Sequence, residues 1–338
     1  LAGSAATVGA AQISLDFVTR GGAGVLRGGD AQGPIIDATI NQTSVASDRL
    51  QLLINPILVG GNASDPGGIG GNAEGSPINV VISNSQFSLQ GNTTYPIDPG
   101  SGSQIIVPGD ILIASDARGA RGGNGGINGS GGTATSGAVA VSIANAIVSA
   151  VGDPLGTPGV MRLRSQAIGG QGGEVGDATS GGAELLLNNA QLAAGEVLQH
   201  TRALASGPAG QIGGAASAGL GAITLATDST LSADVIEIAA SASTAAGGLA
   251  AAGTSVVELQ DGAATSLAAQ SLRLLADASG AAPGAAANRA GRFAVRASSG
   301  NANIGTLSAS ALGDVVGATP SELVASGGNI NVSDALTG

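Results

Sequence analysis

A loose repeat recurs along the chain, and it constrains the possible folds more than any other feature of the sequence. Three aligned segments begin at Leu192, Leu231 and Leu267, at intervals of 39 and 36 residues. Each leads into an alternating apolar strand, then a stretch rich in Gly, Ala and Ser, then a second alternating strand. Self-similarity with a period of roughly 20 to 50 residues is typical of solenoids, propellers and arrays.

The apolar runs within each unit are short and alternate with period two, which predicts β-strands. Ala-rich parts also allow helix, but Pro283, Gly284 and frequent further glycines oppose it. Because two short strands cannot bury an apolar face alone, the units must stack. The sequence therefore predicts an all-β chain, a parallel β-helix or β-solenoid of seven or eight units. Residues 105–338 form its regular part, with units of roughly 36–50 residues, and residues 1–104 a less regular N-terminal part.

The length of a unit leaves open whether it makes one coil, with the Gly-rich stretch as an excursion, or two coils. If one unit is one coil, Arg162, Gln199, Glu237 and Arg273 occupy equivalent outward positions. Stacked strands lie about 4.8 Å apart. We therefore expect Glu237 and Arg273 to be lateral neighbours on one face.

Within the Gly-rich excursions, glycine recurs every third residue, at Gly119, Gly122 and Gly125 and again at 170, 173 and 176. Period three is the geometry of polyproline-II-like strands, in which glycine permits close packing of extended chains. A flexible Gly/Ser loop is the alternative. Residues 67–72 and 169–174 approach the calcium-binding nonapeptide G-G-x-G-x-D but lack its Asp. Calcium is thus the one cofactor that the sequence leaves open.

Reactive side chains are scarce. The chain has no Cys, Trp or Lys, one His and one Tyr, so most nucleophilic, acid–base and Cys/His metal chemistry is excluded. We expect His200 to be an outward strand residue without a carboxylate partner, and we assign no catalytic, cofactor-binding or metal-binding residue. The net charge of −11 opposes nucleic acid as a partner. The longest apolar run, residues 138–151, is too short to span a membrane.

Residues 221–238 (GAITLATDSTLSADVIEI) and 327–336 (GGNINVSDAL) resemble the repeats of filamentous-haemagglutinin-like exoproteins and autotransporter passenger domains of Gram-negative bacteria. The resemblance extends over most of residues 105–338. It implies a right-handed parallel β-helix, export across the outer membrane, and adhesive or matrix roles.

From the repeat and the scarce chemistry we expect a non-enzymatic extracellular structural protein, a subunit or segment of a cell-surface rod or filament. Self-association into fibres and contact with host or surface glycans are the expected interactions. Two alternatives stay open: a β-helical polysaccharide lyase or hydrolase, suggested by fold analogy, and a passive stalk or passenger that displays another module.

Overall fold

The computed structural model describes residues 12–47, 51–89, 92–96, 104–108, 111–120, 122, 129–150, 152, 158–205, 212–245, 247–280, 288–314 and 321–337. Over these residues the chain contains strands and turns and no helix. The strands are numbered β1 to β29 in chain order. All belong to three parallel sheets except an antiparallel pair, β9 (Asn92–Pro96) and β10 (Gln104–Pro108). The prediction of an all-β chain is confirmed.

The largest sheet, called here the main sheet, has thirteen strands. Nine of them follow one another in order: β1 (Gln12–Arg20), β5 (Gln51–Val59), β11 (Ile111–Arg118), β15 (Val160–Ile168), β18 (Gln191–Ala205), β21 (Thr230–Thr244), β24 (Ser266–Leu275), β27 (Asn301–Ser310) and β29 (Asn329–Thr337). Four shorter strands complete it: β4 (Ser44–Ser47), β8 (Gln86–Leu89), β14 (Ile147–Ala150) and β25 (Ala278–Gly280).

Two further sheets run alongside the main sheet. The side sheet has eight strands in the order β3 (Ile36–Asn41), β7 (Ile78–Ser83), β13 (Val139–Ala144), β17 (Ala183–Asn188), β20 (Gly221–Ala226), β23 (Thr254–Leu259), β26 (Arg292–Ala297) and β28 (Glu322–Ala325). The short sheet has six strands in the order β2 (Ala31–Gln32), β6 (Ala73–Glu74), β12 (Ala134–Thr135), β16 (Ala178–Thr179), β19 (Ala216–Ser217) and β22 (Ala250–Ala251).

Each of the first six repeats contributes in turn to the main, short and side sheets before the chain returns to the main sheet, and the last two contribute only to the main and side sheets. Strand β15 is followed by β16 and β17, and the next main-sheet strand, β18, pairs with β15 in parallel. One repeat is therefore one coil, and the Gly-rich stretch is an excursion from it. The strands of residues 12–89 lie in the same three sheets as those after residue 105. Long parallel sheets in this order are compatible with the predicted β-solenoid.

Inward side chains form two buried clusters of different character. Ile, Leu and Val from the main and side sheets, such as Ile113, Leu185 and Ile236, make one continuous core. The second cluster lies between the main and short sheets and consists almost entirely of alanine, including Ala117, Ala167 and Ala178. The narrow space on that side accepts only small side chains, since interiors are close-packed. This geometry explains why so much of the composition is alanine.

A line of buried hydroxyl groups separates the two clusters. The Ser136 and Ser165 hydroxyl oxygens are 2.7 Å apart, and Ser165 also donates to the Gly137 carbonyl at 2.8 Å. One coil further, Thr201 donates to the Gly219 carbonyl at 2.9 Å. Each hydroxyl satisfies a polar group that the tight turns leave inside the stack, as buried polar groups require.

The Gly-rich excursions are hydrogen-bonded arms. An outbound arm leaves each of the first four long main-sheet strands (residues 21–22, 60–61, 119–120 and 169–170), and a return arm enters each of the first four short-sheet strands (28–29, 70–71, 131–132 and 175–176). Arms of successive coils alternate: Gly132 donates to the Ala120 carbonyl at 2.9 Å, Gly170 to Gly132 at 2.8 Å, and Gly176 to Gly170 at 2.9 Å. The backbone nitrogens of Gly119 and Gly122 donate to the carbonyls of Ile168 and Gln171 in the next coil, so the bonds recur every three residues along both arms.

Glycine is needed in these arms for space. A Cβ atom on Gly170 would lie 1.9 Å from the Ala120 carbonyl oxygen, and one on Gly132 equally close to the Gly71 oxygen. None of the glycines in these eight arms has a positive φ angle, so conformational freedom is not the reason. The described arms are thus ordered by close contact and hydrogen bonds. Gly125 lies outside the described residues.

Candidate functional site

A cluster of arginines lies on the outer surface of the main sheet. We call this surface the charged face; it comprises Asp116, Arg118, Arg162, Arg164, Glu196, His200, Arg202, Glu237 and Arg273. Alternation places these side chains outward because their strand neighbours fill the core. Five of the twelve arginines stand here against three acids, in a chain whose net charge is −11. Within this group of residues positive charge therefore exceeds negative charge, while the exposed Asp16, Asp234 and Asp334 lie elsewhere on the same sheet.

Asp116 and Arg164 form a two-pronged ion pair across neighbouring coils. The Arg164 Nε and Nη2 atoms donate to the two carboxylate oxygens at 3.0 and 2.6 Å. The Asp116 side chain is 4% exposed, although it points away from the core. A buried carboxylate needs such a partner, because an unpaired charge in this environment is costly.

His200 lies on the outer surface, as expected, but the expectation that it has no carboxylate partner is wrong. Its Nε2 atom is 2.9 Å from the Glu237 Oε1 atom. The two residues are not a register pair: Glu237 pairs with Leu198, so the contact is diagonal and not visible from spacing alone. The hydrogen bond with His200, aided by Arg273, lowers the pKa of Glu237 below its usual value.

The expected contact between Glu237 and Arg273 is confirmed, but the position assigned to Gln199 is wrong. Glu237 and Arg273 pair in register, with the Arg273 Nη1 atom 3.6 Å from the carboxylate. Leu198, not Gln199, stands between Arg162 and Glu237 in the outward row. Gln199 points inward, fully buried, and neither its amide nitrogen nor its amide oxygen has a hydrogen-bond partner among the residues that the structure describes. The sequence alignment was one residue out of register there.

Arg162 has an unusual environment within the charged face. Burial, and then the charge of Arg164, lower the pKa of its guanidinium. Its Nε atom is buried and has no hydrogen-bond partner in the described structure. Its positive charge is offset by Glu196 and Glu237 at longer range.

The arrangement can join neighbouring coils. Asp116 is held by Arg164 of the next coil, and Glu237 is held by His200 and Arg273 from the coils on either side of it. In the described part of the chain no three His, Asp or Glu side chains group closely enough to hold a metal ion. The interpretation of residues 67–72 and 169–174 as calcium sites stays a prediction.

Comparison with known proteins adds no relative. No family model, no curated protein and no solved structure matches this chain. Over the described residues, no helix is long and apolar enough to cross a membrane. The resemblance to Gram-negative exoproteins stays a prediction, and function is argued below from the structure of this chain.

Proposed function

We propose that this chain is a non-enzymatic extracellular structural protein, a parallel β-solenoid that forms a subunit or segment of a surface rod or filament, with glycine-rich arms packed as polyproline-II-like strands. The observation that carries the proposal is how its side chains are used: core residues, arm glycines and the ion pairs of the charged face all connect one coil to the next. A chain organised in this way resists bending and unravelling along one axis. That property suits a rod.

End-to-end self-association is supported by the outermost described strands. At one end β1 pairs only with β5, and at the other β29 pairs only with β27. Large apolar side chains near both ends are exposed: Leu15 at one end, Leu323 and Val324 at the other. An unpaired parallel edge with apolar side chains is a template for a further strand.

Electron microscopy of the unrefolded, untagged protein tests this proposal. The nine successive main-sheet strands imply a stack about 40 Å long at about 4.8 Å per coil. We expect fibres many times longer than that at high protein concentration, with a regular axial repeat. Monodisperse particles about 40 Å long under the same conditions would refute end-to-end association.

The second candidate is a glycan lyase or hydrolase, because the charged face gathers the chain's one histidine with Asp116, Glu237 and several arginines. It requires polysaccharide turnover that is lost in Glu237→Gln while the fold is retained. Equal turnover in that variant and in the parent, or none in either, would remove this site as a candidate.

A further inference from the structure

A second surface feature, separate from the charged face, lies at the corner where the side sheet ends and the main sheet begins. At the first four of these corners one residue takes a left-handed backbone conformation, with φ between 48° and 51°: Gln42, Asn84, Asn145 and Asn189. The same backbone geometry recurs coil after coil. It sends four amide side chains outward in one row along the axis.

A parallel row of side chains forms the opposite wall. Ser44, Gln86, Ile147 and Gln191 are register partners at the start of their strands, and all four are exposed. Between the rows lie the small buried residues Thr43, Ser85, Ala146 and Ala190. The two walls and this floor form a trench that is open to solvent, has a volume of about 630 Å³ and runs along the axis of the stack. We call it the corner trench.

Several of the amides in the corner trench are not used by the fold. Asn189 donates to the Asn145 side-chain oxygen at 2.8 Å, and Asn84 donates to Asn41 at 3.0 Å. By contrast, the side chains of Gln42, Gln86 and Gln191 make no hydrogen bond to any described residue. Each free primary amide can donate two hydrogen bonds and accept two.

The lining of the corner trench indicates the chemistry of its ligand. It contains no charged side chain, so it cannot select an ionic group. Its free amides, which both donate and accept, match hydroxyl groups, and the half-exposed Ile147 between Gln86 and Gln191 offers an apolar contact for C–H groups. Because the trench is open at the surface and continues over four successive coils, it fits an extended polymer better than a compact molecule.

We propose that the corner trench binds a linear, uncharged polysaccharide, whose hydroxyl groups hydrogen-bond to the side chains of Gln42, Gln86 and Gln191. This deepens the proposed surface role by naming the class of glycan, although binding does not depend on filament formation. The trench covers three intervals between coils, about 14 Å along the axis, which is enough for a short run of sugar units.

Later corners show that the feature is local. The next corner has two left-handed residues, Thr227 and Asp228, in place of one. The Asp228 carboxylate accepts a hydrogen bond from the Ala264 backbone nitrogen at 3.1 Å, so it joins this corner to the corner of the next coil. The row of free amides therefore stops after Gln191.

Affinity electrophoresis in gels that contain soluble polysaccharides tests the proposal on the folded chain. The probes are hydroxyethylcellulose, galactomannan and dextran as uncharged polymers, and polygalacturonate as the anionic one. We expect retardation by at least one uncharged polymer, unchanged at high salt because no charge is involved. The double variant Gln86→Ala/Gln191→Ala should weaken it at least tenfold. The matched control is Gln166→Ala, which deletes an amide that lies on the charged face between Asp116 and Arg202. It should bind normally.

Three outcomes would overturn the proposal: no retardation by any uncharged polymer, retardation by polygalacturonate alone, or equal binding by the double variant and the parent. The second would direct attention to the charged face. Thermal unfolding of each variant verifies that the fold is retained. Filament formation is measured separately by microscopy, so failure of the trench proposal and failure of the rod proposal are distinguishable.

Discussion

The close packing of the glycine arms makes Gly170→Ala the most informative substitution. The added Cβ would lie 1.9 Å from the Ala120 carbonyl oxygen, and the Gly132 backbone nitrogen is only 2.7 Å away. Both obstacles are backbone atoms of the preceding coil, so no side-chain rotation can relieve the contact. The arms must move apart by more than 1 Å, roughly the shortfall from ordinary van der Waals contact.

That displacement affects hydrogen bonds on both sides of the residue. Gly170 donates to Gly132 at 2.8 Å and accepts from Gly176 at 2.9 Å. Each hydrogen bond contributes about 0.5–1.5 kcal/mol net, and forced overpacking costs about 1–3 kcal/mol. We expect Gly170→Ala to lower the free energy of unfolding by about 3–5 kcal/mol, measured by urea denaturation followed by far-ultraviolet circular dichroism.

Gly22→Ala is the matched control, since a Cβ there would meet no atom within 4 Å. It should leave stability unchanged within about 0.5 kcal/mol, or raise it slightly by restricting the unfolded chain. If Gly170→Ala proved as mild as Gly22→Ala, the arms would be loose loops and the packing argument would be wrong.

Four further predictions concern polar and charged side chains. Gln199→Leu should raise the free energy of unfolding by about 1–3 kcal/mol, because it removes an unsatisfied buried amide. Thr201→Val should instead lower it by about 1 kcal/mol, since the Gly219 carbonyl loses its donor. The opposite order of stability in urea denaturation would contradict both predictions. Arg164→Met should cost about 3 kcal/mol by isolating the Asp116 carboxylate, while the added change Asp116→Leu should restore most of the loss; a double variant no more stable than the single one would count against this reasoning. The lowered pKa of Glu237 contributes stability that is present above about pH 4.3, the usual pKa of a glutamate, and is lost as the pH falls through the folded-state value. The difference in unfolding free energy between the parent and Glu237→Gln should therefore shrink in that acidic range. A difference that does not depend on pH would refute this prediction.

Local periodicity was sufficient to predict the strands and the pairing of neighbouring coils. Alternation of apolar residues after Leu192, Leu231 and Leu267 marked β18, β21 and β24, and the repeat spacing brought Glu237 beside Arg273. These features depend on residues close together in the chain or one repeat apart, which a single sequence displays directly.

The register error at Gln199 shows the limit of that reasoning. Strand residues alternate between core and surface, so an error of one position exchanges the two faces. A polar residue at position 199 suggested an outward place, yet its neighbours Leu163 and Ile238 in the same row are core residues. Only the pairing of whole strands resolved the position.

The sequence by itself determined a repetitive all-β chain with little reactive chemistry, because strand periodicity, glycine spacing and composition are local properties of the polypeptide. The tertiary structure decided that each repeat is one coil, that the glycine arms interlock, that His200 contacts Glu237 diagonally, and that four left-handed corners align their amides along a trench. These features arise from stacking, which places side by side residues that lie about forty positions apart and whose contact directions no linear spacing records.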